Sequence, residues 1–281
     1  MTSTLLYTIL SLSLLGGLLA VVLYLIAQKF KVQEDPRIDQ VLEVLPGANC
    51  GGCGYAGCRA FAESFVRNPD NPDFFCPVGG NDAMKKAAAV LGREVQEQIP
   101  KLAVLRCNGT CDARPVLNTY DGSPKCSVAA DLYGGETGCS YGCLGLGDCV
   151  DACTFDAIHI NPQTCLPEVV EDKCTSCGAC VKACPRNILE LRPKGPKSRR
   201  IYVACANKDK GAVTRKVCSV GCIGCQLCVK ACPFEAITFA DNLAYIDPAK
   251  CRLCRKCVAV CPTGCILEIN FPPKKQVTNN E

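Results

Sequence analysis

Hydrophobic positions follow three different patterns along this chain of 281 residues. The N-terminal residues are almost continuously apolar. From about residue 36 to residue 101 apolar side chains recur at helical spacing, and beyond that they form short segments between cysteines, prolines and glycines. Helical spacing predicts amphipathic helices, and short apolar segments bounded by turn residues predict strands. We therefore expect an α+β protein with one long N-terminal helix, a small, mainly helical domain and a strand-containing remainder.

The N-terminal segment is a candidate membrane span. No charged side chain occurs from Thr2 to Gln28, and about 20 apolar residues suffice to cross a bilayer. We predict a transmembrane helix from about Leu5 to Ala27. A cleaved signal peptide is the alternative, but the segment lacks a basic start and a small-residue cleavage site. Lys29 and Lys31 follow the helix, so the positive-inside rule predicts an external N-terminus and a cytoplasmic remainder.

A short helix is predicted after this span. Ile38, Val41, Leu42 and Val44 have helical spacing, and Pro46 marks the end of the helix. Two later apolar runs, AVLRC and IYVAC, each end in a cysteine and have the character of strands.

Cysteine is the most unusual component of the sequence. The chain has 27 cysteines, one histidine and no tryptophan. Such a density is typical of a secreted disulfide framework or of a cofactor protein. The count is odd and many cysteines lie two or three residues apart, where disulfide geometry is unfavourable. Metal clusters, kept on the reducing side of the membrane, are therefore the better interpretation.

The most regular cysteine runs lie near the C-terminus. Two successive stretches have the spacing CxxCxxCxxxCP, which is that of bacterial two-cluster ferredoxins, where the fourth cysteine of each run binds the other run's cluster. Structural zinc is the alternative, but a triple run suits a tetrahedral ion poorly. We expect one [4Fe-4S] cluster on Cys222, Cys225, Cys228 and Cys261, and another on Cys251, Cys254, Cys257 and Cys232.

A second pair of runs lies upstream, and one of its halves is irregular. Its cysteines repeat the spacing of Cys218, Cys222, Cys228 and Cys232, with Leu146 at the position of Cys225. A cluster there lacks one ordinary ligand, and Cys139 is the nearest replacement. We expect one [4Fe-4S] cluster on Cys139, Cys143, Cys149 and Cys184, and another on Cys174, Cys177, Cys180 and Cys153.

A separate cysteine block follows the predicted membrane span. Cys50, Cys53 and Cys58 lie in the stretch LPGANCGGCGYAGC, and Cys76 follows after a longer interval. Its glycines allow the backbone to approach a cluster closely. We expect a self-contained [4Fe-4S] site on these four cysteines, with zinc as the alternative.

Seven cysteines remain outside these sets, namely Cys107, Cys111, Cys126, Cys165, Cys205, Cys218 and Cys265. The first three surround a glycine-bearing loop, and we hypothesise a sixth cluster on them, with Cys205 or Cys218 as the fourth ligand. Cys265 stands where alanines stand in other repeats, so we expect a small buried residue there. The expected total is five [4Fe-4S] clusters, or six with the additional site.

The segments that follow the fourth cysteines repeat a turn and an apolar strand. They read TFDAIHI, PRNILEL, PFEAITF and PTGCILEI, which predicts a fourfold half-ferredoxin unit with Ile158, Ile188, Ile237 and Ile266 as core positions.

Charge and motifs exclude several functions. The net charge of +4 makes no case for nucleic acid. Phosphate loops, dinucleotide fingerprints and catalytic triads are not visible in the sequence, so we expect no bond-making active site. A basic run of Lys194, Lys197, Arg199 and Arg200 is interpreted either as a loop joining the two ferredoxin-like modules or as a docking patch for an acidic electron carrier.

Taken together, an apolar anchor, the LPGANCGGCGYAGC block with its delayed cysteine and the serial ferredoxin runs resemble the B subunit of Rnf electron transport complexes. The resemblance covers nearly the whole chain. The corrinoid iron-sulfur protein has a similar cysteine block, but it offers no membrane anchor followed by serial ferredoxins. The resemblance implies a complex that links electron exchange between ferredoxin and NAD to sodium or proton movement, with flavins on other subunits.

The expected function is therefore that of a membrane-anchored electron carrier, with soluble ferredoxin and other Rnf-type subunits as partners. The alternatives are a polyferredoxin subunit of another membrane oxidoreductase and a non-redox protein whose metal sites hold partners together. We expect four regions: an anchor at 1–31, a [4Fe-4S] domain at 32–96, a first ferredoxin-like module at 97–194 and a second at 195–281.

Overall fold

The computed structural model describes residues 2–29, 35–68, 71 and 73–273. Its helices are α1 (Thr2–Lys29), α2 (Pro36–Val44), α3 (Cys58–Arg67), α4 (Gly80–Val90), α5 (Cys126–Leu132), α6 (Asp148–Asp151), α7 (Ala179–Ala183), α8 (Gly211–Val217), α9 (Leu227–Ala231) and α10 (Lys256–Ala259). Its strands are β1 (Lys101–Leu105), β2 (Ile158–Asn161), β3 (Leu166–Val169), β4 (Leu189–Pro193), β5 (Arg200–Val203), β6 (Ile237–Ala240), β7 (Leu243–Ile246) and β8 (Ile266–Ile269). The predicted α+β class is confirmed.

Helix α1 is long and apolar enough to cross a membrane. At 1.5 Å per residue its 28 residues extend about 42 Å. The window Ile9–Ile26 has a mean hydropathy of 2.5, and none of it is buried against the rest of the protein. Lys29 lies in the last turn, whereas Lys31 lies outside the described residues.

Helices α2, α3 and α4 enclose a small aromatic core. The predicted short helix is present as α2, where Asp35 caps the N-terminus by accepting the backbone N–H of Arg37 at 2.9 Å. Phe61, Phe65 and Phe74 are almost fully buried, and Phe74 meets the other two rings edge to face, with centroids 5.7 Å from Phe61 and 5.4 Å from Phe65. This core holds the first cysteine block.

Two copies of one strand arrangement follow α4. In the first copy β1 pairs antiparallel with β4, and β2 and β3 form a hairpin between them in sequence. In the second copy β5 pairs with β8, and β6 and β7 form the hairpin. The predicted apolar runs before Cys107 and Cys205 are therefore the first strands of the two modules.

Ile158, Ile188, Ile237 and Ile266 are all buried, as predicted. The strand register shows that Ile188 and Ile266 do not occupy equivalent positions in the two modules. Leu105 pairs with Leu189, and Val203 pairs with Ile266. Leu189 is therefore the counterpart of Ile266, and Ile188 corresponds to Cys265. That explains why Cys265 is only 3% exposed, because it fills a core position.

The two modules pack against each other through their first strands. Leu102 and Val104 of β1 form one buried cluster with Tyr202 and Ala204. The backbone N–H of Asn108 also donates to the carbonyl of Ala204 at 2.9 Å. The segments that follow β1 and β5 are consequently held side by side.

Much of the basic run serves this joint. Arg200 is 9% exposed, and its guanidinium donates to the Glu171 carboxylate at 2.6 Å. Lys194 donates to the Glu171 carbonyl at 3.3 Å, whereas Lys197 is exposed. Because Glu171 belongs to the first module, these contacts favour the linker interpretation of the run over a docking patch.

Candidate iron-sulfur centres

One cavity in the second module gathers the thiols that regular spacing groups together. It has a volume of about 350 Å³ and is lined by Cys222, Cys225, Cys228 and Cys261. Cys228 lies within the short helix α9, which follows the loop of the run. The buried Cys265 also faces this cavity, with its Sγ 3.6 Å from that of Cys261.

Helix α9 carries the fourth cysteine of its run away from the loop. Cys232 caps its C-terminus, and Pro233 follows. Burial raises the pKa of the Cys251 thiol, and the nearby thiols of Cys232 and Cys254 raise it further. Cys257 interacts in the same way with Cys251 and Cys254. The second expected set, Cys251, Cys254, Cys257 and Cys232, therefore also lies together.

In the first module the regular set lines a cavity of about 360 Å³. The cysteines that line it are those expected from spacing, namely Cys153, Cys174, Cys177 and Cys180.

In the irregular set the structure differs from the expected grouping at one residue. A third cavity, of about 370 Å³, is lined by Cys143, Cys149, Cys184 and Cys126, and Cys139 is not among its lining residues. The position of Cys126 has a physical cause in the side chain of Asp148. Its carboxylate accepts the backbone N–H groups of Cys126 at 2.7 Å and Ser127 at 2.9 Å. These bonds satisfy the free N–H groups at the start of α5 and hold Cys126 beside Cys149.

Cys139 instead lies in a fourth cavity of about 330 Å³, which Cys107, Cys205 and Cys218 also line. The hypothesised grouping of Cys107 with Cys111 and Cys126 also differs from the arrangement in the structure. Cys111 is joined to Cys165 by a disulfide, and Cys126 belongs to the third cavity. Cys205 and Cys218 were the two candidates for the fourth ligand of this cluster. Both line the same cavity as Cys107.

The N-terminal cysteine block is arranged around Cys76. Its buried thiol interacts electrostatically with Cys53 and Cys58, and its Sγ accepts the backbone N–H of Gly79 at 3.3 Å. Asn49 anchors the other side of the block, because its side-chain oxygen accepts the N–H of Cys58 at 2.8 Å. Cys50 follows Asn49 directly in the same loop.

Burial controls the protonation of these thiols. It raises the pKa of Cys143 and Cys149 to about 12. In the absence of metal these thiols are therefore neutral near pH 7, and metal binding must displace their protons.

The potential ligands in these cavities are cysteine thiols. Within the described ranges, no three His, Cys, Asp or Glu side chains form a group that could hold one metal ion. Four cysteine thiols line the cavities of about 360 and 370 Å³, and five line the cavity of about 350 Å³, where Cys265 joins the expected four. All-cysteine ligation is the ordinary ligation of a [4Fe-4S] cluster.

Neighbouring cysteine sets lie near one another. A Cβ atom added to Gly52 would lie 2.8–2.9 Å from the Cys177 backbone, so the N-terminal block reaches the first module at this glycine. Cys149 of the third cavity interacts with Cys180 of the second. In the second module Cys228 interacts with Cys257.

Cys126 lines the third cavity, and cysteine spacing did not predict its place there. It lies 23 residues before Cys149 in the sequence and outside every regular run. The available signal was the absence of a cysteine at Leu146, which shows that a ligand is missing but does not show which segment supplies it.

Family models match three parts of the chain. A model described as a putative Fe-S cluster matches residues 45–78, a 4Fe-4S binding domain matches residues 167–190, and a 4Fe-4S dicluster domain matches residues 221–265. None of these ranges includes Cys107, Cys139, Cys205 or Cys218.

Three relatives match most of the chain. The B subunit of the Na(+)-translocating ferredoxin:NAD(+) oxidoreductase complex of Acetobacterium woodii is 46% identical over 91% of this chain and 75% of its own length. The B subunit of the ion-translocating oxidoreductase complex of Methanosarcina acetivorans is 43% identical over 95% and 99%. The B subunit of the proton-translocating ferredoxin:NAD(+) oxidoreductase complex of Clostridium ljungdahlii is 39% identical over 95% and 93%. The chain therefore belongs to the family of B subunits of ion-translocating, Rnf-type oxidoreductase complexes.

Proposed function

We propose that this chain relays electrons between soluble ferredoxin and the membrane and flavin subunits of an Rnf-type ferredoxin:NAD oxidoreductase. The names of its relatives in Acetobacterium woodii and Clostridium ljungdahlii support the overall reaction. The observation that carries the proposal is the proximity of neighbouring cysteine sets, from the N-terminal block to the first module and within each module, because electron transfer requires close cofactors. The role of this chain is to hold, space and insulate those cofactors.

We assign five [4Fe-4S] clusters to five cysteine sets. Each cluster, when bound, accepts and releases one electron, with a potential set by hydrogen bonds to sulfur and by solvent exposure. The sets are Cys50, Cys53, Cys58 and Cys76; Cys153, Cys174, Cys177 and Cys180; Cys126, Cys143, Cys149 and Cys184; Cys222, Cys225, Cys228 and Cys261; and Cys232, Cys251, Cys254 and Cys257.

We infer that the soluble carrier docks at the far end of the second module. Cys254 and Cys225 are the exposed members of their sets. Lys250, Arg252 and Lys256 are exposed around Cys254. A cluster near the surface with basic side chains around it suits a small acidic electron carrier, because opposite charges steer the encounter.

The other end of the series faces the membrane subunits in this proposal. The N-terminal block follows α1 directly in the sequence, so the anchor keeps that block near the bilayer. Lys29 in the last turn of α1 and Lys31 beyond it in the sequence support a cytoplasmic position for all the cysteine sets. No residue is assigned a role as acid, base or nucleophile, since the reaction assigned to this chain breaks no covalent bond.

The test is an anaerobic dithionite titration followed by EPR. An electron relay takes up about one electron per cluster and develops the signals of reduced, interacting [4Fe-4S] clusters. A protein whose sites only hold partners together takes up none. Absence of any reducible cluster in iron-replete protein would overturn the proposal.

A further inference from the structure

We propose that Cys107, Cys139, Cys205 and Cys218 bind a further [4Fe-4S] cluster, which connects the two ferredoxin-like modules. We refer to these four residues as the junction site. Their convergence on one cavity is the observation that carries the proposal.

The junction site is built from equivalent residues of the two modules. Leu105 pairs with Leu189 as Val203 pairs with Ile266. This register makes Cys107 and Cys205 equivalent, since each lies two residues beyond the first strand of its module. Cys139 and Cys218 are equivalent by spacing, because both precede the next cysteine by four positions. Each module thus contributes the same two thiols to a site between them.

The size of the site matches the other cluster cavities. Counted with its opening to solvent, the empty space at the junction site is about 330 Å³, against about 350 Å³ for the cavity of Cys222, Cys225, Cys228 and Cys261. The four cysteines of that comparison cavity lie within the residues matched by the 4Fe-4S dicluster model.

Hydrogen bonds at the junction site end on sulfur. The backbone N–H of Cys222 donates to Cys205 Sγ at 3.3 Å. The side-chain amide of Asn207, which is 2% exposed, donates to Cys139 Sγ at 3.5 Å. Such N–H···S bonds stabilise the charged thiolates that a cluster requires, and they tune its potential.

Buried polar residues are concentrated at the junction site. Of the five polar or charged side chains buried in the described part of the chain, three line this cavity, namely Arg114, Asn207 and Thr214. The Arg114 guanidinium donates to the Cys143 carbonyl, but its Nε is buried without a hydrogen-bond partner. A buried cation is costly unless an opposite charge compensates it. Four thiolates around a cluster supply that charge.

The junction site also closes a gap between neighbouring sets. On one side Cys107 is close enough to Cys143 to interact with it electrostatically. On the other side Cys205 contacts Cys222 through the N–H···S bond. Binding of the cluster depends only on the junction site itself, whereas its role as a connector rests on the electron relay proposed above. In that role it gains one electron from one module and passes one to the other, without forming or breaking a covalent bond.

Iron, zinc and acid-labile sulfide should be measured on the full-length protein, purified anaerobically in detergent. Six clusters predict about 24 irons and 24 sulfides per chain, and five predict about 20 of each. We expect about 24 in the wild type and about 20 in Cys107→Ala and Cys218→Ala. Cys111→Ala is the matched control, because Cys111 lies four residues from Cys107 and outside every set, and it should retain about 24.

Mössbauer spectroscopy of the isotope-enriched wild type provides a second measurement, which does not depend on how well the variants fold. About 20 irons in the wild type, unchanged in Cys107→Ala, or one zinc ion in place of the missing irons, would overturn the junction cluster. Dithionite would still reduce the remaining clusters, so the proposed relay would stand. Conversely, a protein that contains about 24 irons but takes up no electrons would overturn the proposed relay and leave the junction cluster in place.

The connecting role has its own readout. After rapid mixing with less dithionite than is needed for full reduction, freeze-quenched EPR should show both modules reduced together in the wild type. In Cys107→Ala one module should lag behind the other. Equal time courses in the variant would overturn the connecting role.

Discussion

Arg114 is the residue whose environment most directly links charge to redox chemistry. It lies buried between Cys143 and the junction site, and it acts electrostatically on the thiols of both Cys143 and Cys218. A fixed positive charge favours the reduced, more negative form of a neighbouring cluster. At an effective dielectric constant near 20, a charge a few ångströms away is worth roughly 1–4 kcal/mol. Arg114 should therefore raise the potential of the clusters beside it.

We predict that Arg114→Gln lowers the midpoint potential of at least one cluster by tens of millivolts, since about 59 mV corresponds to 1.4 kcal/mol for one electron. EPR-monitored redox titration provides the measurement. Arg114→Lys is the matched control, because it keeps the charge and should shift the potential much less. Equal shifts in both variants would show that packing, not charge, is responsible.

At the scale of elements, the approach of the N-terminal loop to the first module depends on a missing side chain. Gly52 lies against the Cys177 backbone, where a Cβ would approach within 2.8 Å of the carbonyl oxygen. Backbone atoms cannot rotate away as a flexible side chain can. The loop or the module must therefore move if this position gains a methyl group.

We predict that Gly52→Ala weakens the packing of the N-terminal block on the first module by about 1–3 kcal/mol, the usual cost of overpacking. Iron content should stay unchanged, whereas electron exchange between the N-terminal cluster and the first module should slow severalfold. Thermal denaturation and freeze-quench EPR measure the two effects. Ala56→Ser, at an exposed position of the same loop, is the control. Wild-type exchange in Gly52→Ala would contradict the proposed contact.

For the molecule as a whole, we propose different partners at the two ends of the series of clusters. The anchor and the N-terminal block form one end, and the exposed basic surface around Cys254 forms the other. Basic residues at the joint between modules do not serve the same purpose, because Arg200 is buried against Glu171.

We predict that the triple change Lys250→Glu, Arg252→Glu and Lys256→Glu slows reduction by ferredoxin about tenfold at low ionic strength, because steering by charge is lost. The difference should shrink at high salt, where the Debye length falls to about 3 Å at 1 M. Stopped-flow mixing with reduced ferredoxin measures the rate. Dithionite reduction should be unaffected, and Lys197→Glu, an exposed position in the linker, is the matched control. A salt-independent or unchanged rate would place the docking surface elsewhere.

The family, the apolar helix and the groupings within regular runs could all be predicted from the amino-acid sequence, because each depends on residues that lie close together along the chain. A loop and one short helix hold most ligands of such a run, and Cys232 reaches its partners because α9 ends there. Burial of the four repeated isoleucines was predictable for the same local reason.

The places of Cys126 and Cys139 became clear only from the folded chain. Cys126 reaches Cys149 because Asp148, distant in sequence, binds the start of α5. Cys139 meets Cys205 because β1 and β5 pack the two modules side by side. Spacing can show that a ligand is missing from a run. The segment that supplies it depends on side-chain hydrogen bonds and strand packing between distant parts of the chain.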